Sequence, residues 1–407
     1  MSFKGLELKQ LVSMLSMRKH VSTDRAGEKR QPATNRTPRE INRNFIFNLV
    51  RTSQPISRAD LARKSNLQAS TVSLIVEGLI SQGWLFEGPA SQSPRGRRPI
   101  LIQLDERRSV IALDIHPERI TAAVVDLSGK IRTQKIIVPP RHPRKAVASI
   151  CNSINALIAE HEEKSFVGIG ICLPGRINPR SSSTIFAPRL KWPVENLQAE
   201  LESVTGLPVR MDNVANACAL AEIWLGNSDA NDGLVIVNVS EGIAISIYVN
   251  GKILRGYQGM AGEFGHVQLQ TEGGKLCACG NRGCWETLAS NTASLRYHRE
   301  LAGRNAAQTF EQLLNRADKK EANALKSLTR SAIHLGRGMR ILLSGLAPRE
   351  IVVVGDLAVQ WNLIGPIVET ELRRKSIATI PIIRCTDNGN NTRLRAAAAL
   401  ILSEGAT

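Results

Sequence analysis

Three of the seven cysteines fall within eight residues, in Cys277-Ala278-Cys279-Gly280-Asn281-Arg282-Gly283-Cys284, and His266 lies eleven residues upstream of the first. Cys277, Cys279 and Cys284 with His266 make a Cys₃His set, one of the closed four-ligand sets that tetrahedral Zn²⁺ prefers. Gly280 and Gly283 permit the tight turns that would bring such ligands round one ion. With all four positions filled by protein, the expected zinc is structural, with no open position for a catalytic water. Two plainer readings stand beside it: unpaired buried cysteines, or a disulfide between two of them. Cys277 and Cys279 are too close in sequence to bridge each other comfortably.

The segment Gly262-Glu263-Phe264-Gly265-His266, followed by the cysteine run and Trp285-Glu286, resembles the signature of the ROK family (repressors, open reading frames, kinases). The resemblance extends from about Asn42 to the C-terminus. It implies an α/β protein with a two-lobed actin-like (ribonuclease-H-like) ATPase and sugar-kinase fold. Family members are either sugar kinases or, with an N-terminal helix-turn-helix, sugar-responsive transcription factors.

An ATP-using member needs glycine-rich turns that let backbone N–H groups approach phosphates. Where the family has Asp-x-Gly-Gly-Thr, this chain has Asp114-Ile115-His116-Pro117-Glu118. Pro117 removes a donor and Glu118 repels phosphate. The second phosphate turn reads Ser240-Glu241-Gly242, and the usual Gly-Gly near the adenosine reads Gly355-Asp356. The general base, an Asp in the family's Asn-Asp-Ala-Asn-Ala, is Val214 in Asn213-Val214-Ala215-Asn216-Ala217. Val214 accepts no proton. Asp212, two residues earlier, reaches that place only with a local shift. By the same resemblance, Asn213, Glu263, His266 and Glu286 would bind sugar hydroxyls. For Glu263 and Glu286 the alternative is support of the zinc loop. His266 would serve both metal and sugar, its second ring nitrogen facing the pocket.

The elements that would position these groups follow from patterning. Asn42–Arg51 reads as a helix with Phe45, Ile46, Leu49 and Val50 on one face. Ser57 reads as an N-cap, with Asp60 in a shortened capping box. Lys64-Ser65-Asn66 is a turn, and a second helix opens near Gln68 with Val72, Ile75, Val76 and Leu79 inward. That leaves Gln68, Ser70, Thr71 and Ser73 at its N-terminal end, which in a helix-turn-helix meets the major groove. Gly83–Glu87 and Ile100–Leu104 read as wing strands. Between them Pro94-Arg95-Gly96-Arg97-Arg98-Pro99 resembles an AT-hook core, placing Arg95, Arg97 and Arg98 for minor-groove or phosphate contact. From Ser109 onward strands and helices alternate, as an α/β protein requires. Cys151, Cys172, Cys218 and Cys385 read as ordinary buried thiols.

The net charge is +17, and residues 1–100 carry 17 Lys and Arg against 7 Asp and Glu. Such a basic end points to a polyanion, above all double-stranded DNA. No run of 18 apolar residues and no clean signal peptide is present, so a membrane is not expected and a cytoplasmic location is. The expected division is a basic, mostly disordered segment 1–40, a winged helix-turn-helix 41–105, and a two-lobed sensor 108–407 with its zinc loop at 263–286. The function that these features and the resemblance imply is a DNA-binding transcriptional regulator of carbohydrate metabolism, a repressor lacking kinase activity, with operator DNA and a sugar or sugar-phosphate effector as partners and a homodimer or homotetramer as its form. The competing reading is a sugar kinase with an accessory DNA-binding domain. A third is a regulator whose pocket is vestigial.

Overall fold

The computed structural model describes residues 38–90, 99–117, 119–138, 143–178, 184–187, 190, 196–226, 233–374, 379–386 and 389–405. Contacts divide the chain into two units, Met1–Ile41 and Asn42–Thr407. Apart from the first turn of helix α1, all that follows lies in the second. Of the segment 1–40, expected to be mostly disordered, residues 38–40 are helical; residues 1–37 and the wing residues Arg95, Arg97 and Arg98 lie outside the described residues.

Helix α1 (Pro38–Ser53) is longer at both ends than the expected Asn42–Arg51. Pro38 sits in the first turn, where a missing N–H costs nothing. Its buried face is Ile46, Phe47 and Val50, while Phe45 is exposed. The expected face had Phe45 inward and did not include Phe47. The helix turns instead to wedge Phe47 between two indoles: its ring is 5.8 Å from Trp84 and 6.2 Å from Trp224. Strand β1 (Ile56–Ser57) leads into α2 (Arg58–Ser65). Ser57 caps that helix, its Oγ accepting from Asp60 N at 3.1 Å. Asp60 Oδ2 accepts from the Ser57 hydroxyl at 2.6 Å. A Glu would reach the Ser57 backbone N–H in a full capping box; Asp is one methylene shorter. Asn66 makes the left-handed turn, and α3 (Ala69–Ser81) buries Val72, Ile75, Val76 and Leu79 as its periodicity requires. Strands β2 (Leu85–Ala90) and β3 (Ile100–Leu104) pair antiparallel as the wing, with β1 on the other edge of β3.

Two lobes follow, each built on a five-stranded sheet of the same plan. In the first, β4 (Arg108–Ile115), β5 (Ile120–Asp126) and β6 (Ile131–Ile137) form an antiparallel meander. After α4 (Pro143–Ala159), β7 (Ser165–Leu173) joins β4 in parallel. The short β8 (Arg176–Ile177) and β9 (Thr184–Phe186) pair with each other, and after α5 (Leu197–Thr205), β10 (Val209–Asn213) joins β7 in parallel. Helix α6 (Val214–Trp224) then leads to the second lobe.

There β11 (Leu234–Val239), β12 (Ile243–Val249) and β13 (Lys252–Ile253) repeat the meander. Helices α7 (Glu286–Ala289), α8 (Asn291–Ala302), α9 (Phe310–Asp318) and α10 (Ala322–Leu346) intervene. Strand β14 (Glu350–Val354) adds in parallel to β11. After α11 (Trp361–Arg373), β15 (Ile382–Cys385) adds in parallel to β14. The chain ends in α12 (Gly389–Gly405), packed along α6 and β7. A Cβ on Gly170 of β7 would lie 1.8 Å from the Ala397 carbonyl, so only glycine lets α12 sit this close. Parallel strands covered by helices explain the near-continuous apolar runs. Among the described residues no helix is long and apolar enough to cross a membrane.

Candidate effector and metal-binding site

Local backbone geometry brings the Cys₃His set together. Gly283 holds φ at +69°, and a Cβ there would lie 1.7 Å from the Gln270 carbonyl. Leu269 N donates to Gly283 O at 2.9 Å and Trp285 N to Val267 O at 2.8 Å, lacing the loop to the segment after His266. Trp285 anchors it: the indole is buried and donates to His334 O of α10 at 3.0 Å. Ligand atoms of His266, Cys277, Cys279 and Cys284 all lie within 4.8 Å of one another, so the set could hold a metal ion. All seven cysteines are free thiols, so no disulfide competes. Cys277 Sγ is 3.4 Å from His266 Nδ1, and Cys279 Sγ is 3.7 Å from Cys284 Sγ. Burial, helped by the Glu286 carboxylate, pushes the Cys277 and Cys284 thiols up. Burial acts in the same direction on Cys279, but hydrogen bonds from Asn281 N–H and the neighbouring thiols hold it below the usual range.

Beside this loop lies a cleft of about 530 Å³ between the lobes, lined by all four expected ligand residues, Asn213, Glu263, His266 and Glu286, and by Val214. Asn213 ends β10 and caps α6, its Oδ1 accepting from Asn216 N at 2.8 Å. That leaves its amide N–H₂ as the donor available to a ligand. Glu263 is half exposed, its Oε2 3.5 Å from His266 Nε2, so the imidazole bridges the thiols on one edge and Glu263 on the other. Glu286 does double duty: it lines the cleft and its Oε1 accepts from Cys277 Sγ at 3.0 Å. Val214 is buried against the cleft wall. Asp212 does not substitute for an acid at that position. Its carboxylate accepts from Arg255 Nη2 at 2.6 Å and Asn216 Nδ2 at 2.9 Å, and it is almost fully buried.

The turns where phosphates would lie are bridged across the lobes. His116, in the β4–β5 turn, places Nε2 2.5 Å from Oε1 of Glu241, in the β11–β12 turn. Burial raises the Glu241 carboxyl, but the hydrogen bond and charge of His116 outweigh it and hold the group at about 2. Beneath them Arg393 of α12 is buried and pairs with Asp114 at 2.7 Å. Asp356, pushed up by burial, accepts from Asn291 Nδ2 at 2.7 Å. Glu118 lies outside the described residues. Sequence reading missed Arg393 and Arg255: each meets its partner from more than 40 residues away.

Gln68 and Ser70 are exposed at the start of α3, with Thr71 and Ser73 half-buried. Leu74, unremarked in the sequence, is 69% exposed on the same helix. Large apolar side chains this open on a recognition helix suit contact with a thymine methyl.

A two-lobed actin-like body carrying a winged helix-turn-helix and a Cys₃His loop beside an interlobe cleft defines the class. The chain belongs to the ROK family, whose model matches residues 110–404. It is 29% identical over 323 residues to the xylose repressor of Bacillus subtilis (strain 168), covering 77% of this chain and 82% of that one. It is 26% identical over 362 residues to the DNA-binding transcriptional dual regulator NagC of Escherichia coli (strain K12), covering 85% and 89%. A crystal structure of a ROK family transcriptional regulator, homologous to the E. coli MLC protein, superposes with a TM-score of 0.74 at 24% identity, over 90% of this chain and 96% of that one; it shows the fold. A ROK family glucokinase from Streptomyces griseus, in complex with glucose and AMPPNP, superposes with a TM-score of 0.64 at 26% identity, over 71% and 98%.

Proposed function

We propose that the protein is a sugar-responsive, DNA-binding transcriptional repressor of carbohydrate metabolism without kinase activity. The observation that carries this is the split character of the cleft: its hydroxyl-binding groups Asn213, Glu263, His266 and Glu286 remain, while Val214 occupies the base position and a His116–Glu241 pair occupies the phosphate turns. A phosphoryl transfer needs a base and donors on the phosphates; binding needs neither. The relatives named as repressors support the same reading.

The proposed domains are the basic segment 1–40, the winged helix-turn-helix 41–105 and the sensor 108–407. Operator contacts fall to Gln68, Ser70, Thr71 and Ser73 in the major groove and to Arg95, Arg97 and Arg98 in the wing. The proposed ion is Zn²⁺, held by His266, Cys277, Cys279 and Cys284 and supplying structural rigidity to the loop. A homodimer or homotetramer would present paired heads to two half-sites.

Coupling has a physical route. Asn213 caps α6 at its cleft end, and Trp224 at the other end packs on Phe47 of α1. A sugar held by Asn213 on one side and by Glu263, His266 and Glu286 on the other favours one lobe spacing, and α6 carries that spacing to the DNA-binding head. The test is a thermal-shift screen of the full chain against sugars and sugar phosphates, then operator binding with each hit and an ATP-coupled kinase assay. A hit that changes operator affinity without turnover is expected. ATP-dependent phosphorylation of any sugar would establish the kinase reading instead.

A further inference from the structure

A second cavity, of about 650 Å³, opens at the C-terminal end of α6, whose N-terminal end lines the sugar cleft, and carries no role in the reading above. Its wall takes Lys130 from the β5–β6 turn, Arg384 and Thr386 from the end of β15, Asn391 and Thr392 from the first turn of α12, and Arg395. Among the described residues of the lining the one acid, Glu222, is already committed to Arg384 at 2.6 Å; Arg384 also pairs with Glu350. Among the described residues Lys130 and Arg395 have no carboxylate partner. Two buried donors of the wall, Nε of Arg395 and Oγ1 of Thr386, have no hydrogen-bond partner there. Arg51 of the DNA-binding head likewise has a buried Nη2 without partner. Burial, and next to it the charge of Arg395, push the Arg51 guanidinium down to about 10.

We propose that this cavity is a second effector site in the sensor, for a small phosphorylated metabolite. Unneutralised cations, hydroxyls and the N-terminal turn of a 17-residue helix converge on one space, the combination that recognises a phosphate. The volume is that of a small-molecule pocket. A dianion beside Arg395 offsets the repulsion that Arg51 feels, so binding reaches the DNA-binding head through charge. This site differs from the sugar cleft in residues, in charge and in ligand chemistry.

The test uses the full chain in phosphate-free buffer without DNA. Glycerol 3-phosphate, inorganic phosphate and uncharged glycerol are titrated calorimetrically, and the melting temperature is followed in parallel. Both phosphates are expected to bind and to raise the melting temperature; glycerol is expected to do neither. A stronger response to glycerol 3-phosphate marks an organic phosphate as the ligand, and equal responses mark free phosphate. Arg395→Gln and the exposed Lys130→Gln are expected to weaken binding about tenfold or more, the loss of one charge-assisted contact. Glu263→Gln, in the sugar cleft, is expected to leave it unchanged. The proposal fails if neither phosphate binds. It fails equally if Lys130→Gln and Arg395→Gln bind as the native protein does, or if Glu263→Gln abolishes binding, which would place the anion in the sugar cleft.

Discussion

Nε2 of His116 and Oε1 of Glu241 lie 2.5 Å apart, and they join the two lobes. Each comes from a turn that would carry a phosphate in an ATP-using relative of this fold. A glycine-rich turn leaves its N–H groups open to a ligand; here a side-chain pair fills the space. The substitutions at the two turns therefore act together, as one contact.

This contact has a pH signature. The Glu241 carboxyl sits at about 2, below its ordinary 4.5. A depressed carboxyl stabilises the fold above its unfolded value, and that contribution is lost as pH falls from about 4.5 through 2. Glu241→Gln is expected to flatten the fall in melting temperature across that window while changing little at pH 7 beyond the lost pair. Equal acid sensitivity in native and variant proteins would remove Glu241 from the interlobe contact.

The metal is the second expectation. Purified chain should hold about one Zn²⁺ per protomer, a four-ligand stoichiometry. Cys279→Ser is the informative variant because Cys279 is exposed, so its loss leaves no core cavity. It should lower both metal content and melting temperature, since metal binding supplies folding free energy. Elemental analysis of reduced protein that finds no zinc would show the loop to be held by Trp285 and Gly283 alone.

The Cys₃His cluster was legible because its four residues lie close together in one glycine-marked stretch. So was α3, whose apolar residues keep a 3.6 period. The face of α1 was not: Phe45 and Phe47 are both aromatic, and only Trp84 and Trp224, far along the chain, decide which turns inward. Cys385 was expected to be buried among apolar groups. It is half-buried at the wall of the cationic cavity, because β15 is an edge strand. Asp212 needed Arg255 to be interpretable, and that pairing spans 43 residues.

Coupling through α6 predicts a separable phenotype. Trp224→Leu keeps an apolar side chain against Phe47 but loses the ring contact, at a stability cost of about 1–3 kcal/mol. Operator binding without ligand should persist, while the change in operator affinity on adding an effector sugar should shrink toward none. An undiminished ligand response, measured by fluorescence anisotropy on an operator duplex, would place the coupling elsewhere.

On DNA, the wing and the recognition helix should separate by sequence dependence. Arg97→Ala is expected to weaken binding most where A·T pairs flank the half-site, as minor-groove insertion requires. Equal weakening on G·C-rich flanks would make Arg97 a phosphate contact. Leu74→Ala should instead relax the preference for thymine inside the half-site, by about 1–3 kcal/mol at the affected base pair.

The last expectation concerns the missing base. Val214 is buried at the wall of the sugar cleft, two residues from an Asp212 that is held by Arg255 and Asn216. Val214→Asp puts a carboxylate where a general base would stand. Turnover also needs donors on the phosphates, and there the His116–Glu241 pair presents an acid. No kinase activity is therefore expected from Val214→Asp in a coupled assay. The carboxylate should still alter sugar selectivity, since a charge-assisted hydrogen bond to a hydroxyl contributes about 1.5–3 kcal/mol. Its burial beside apolar neighbours should lower the melting temperature without ligand, and a bound sugar should restore part of it. If Val214→Asp phosphorylates any sugar with ATP, the bridged turns do not exclude nucleotide, and the protein stands one substitution from a working kinase.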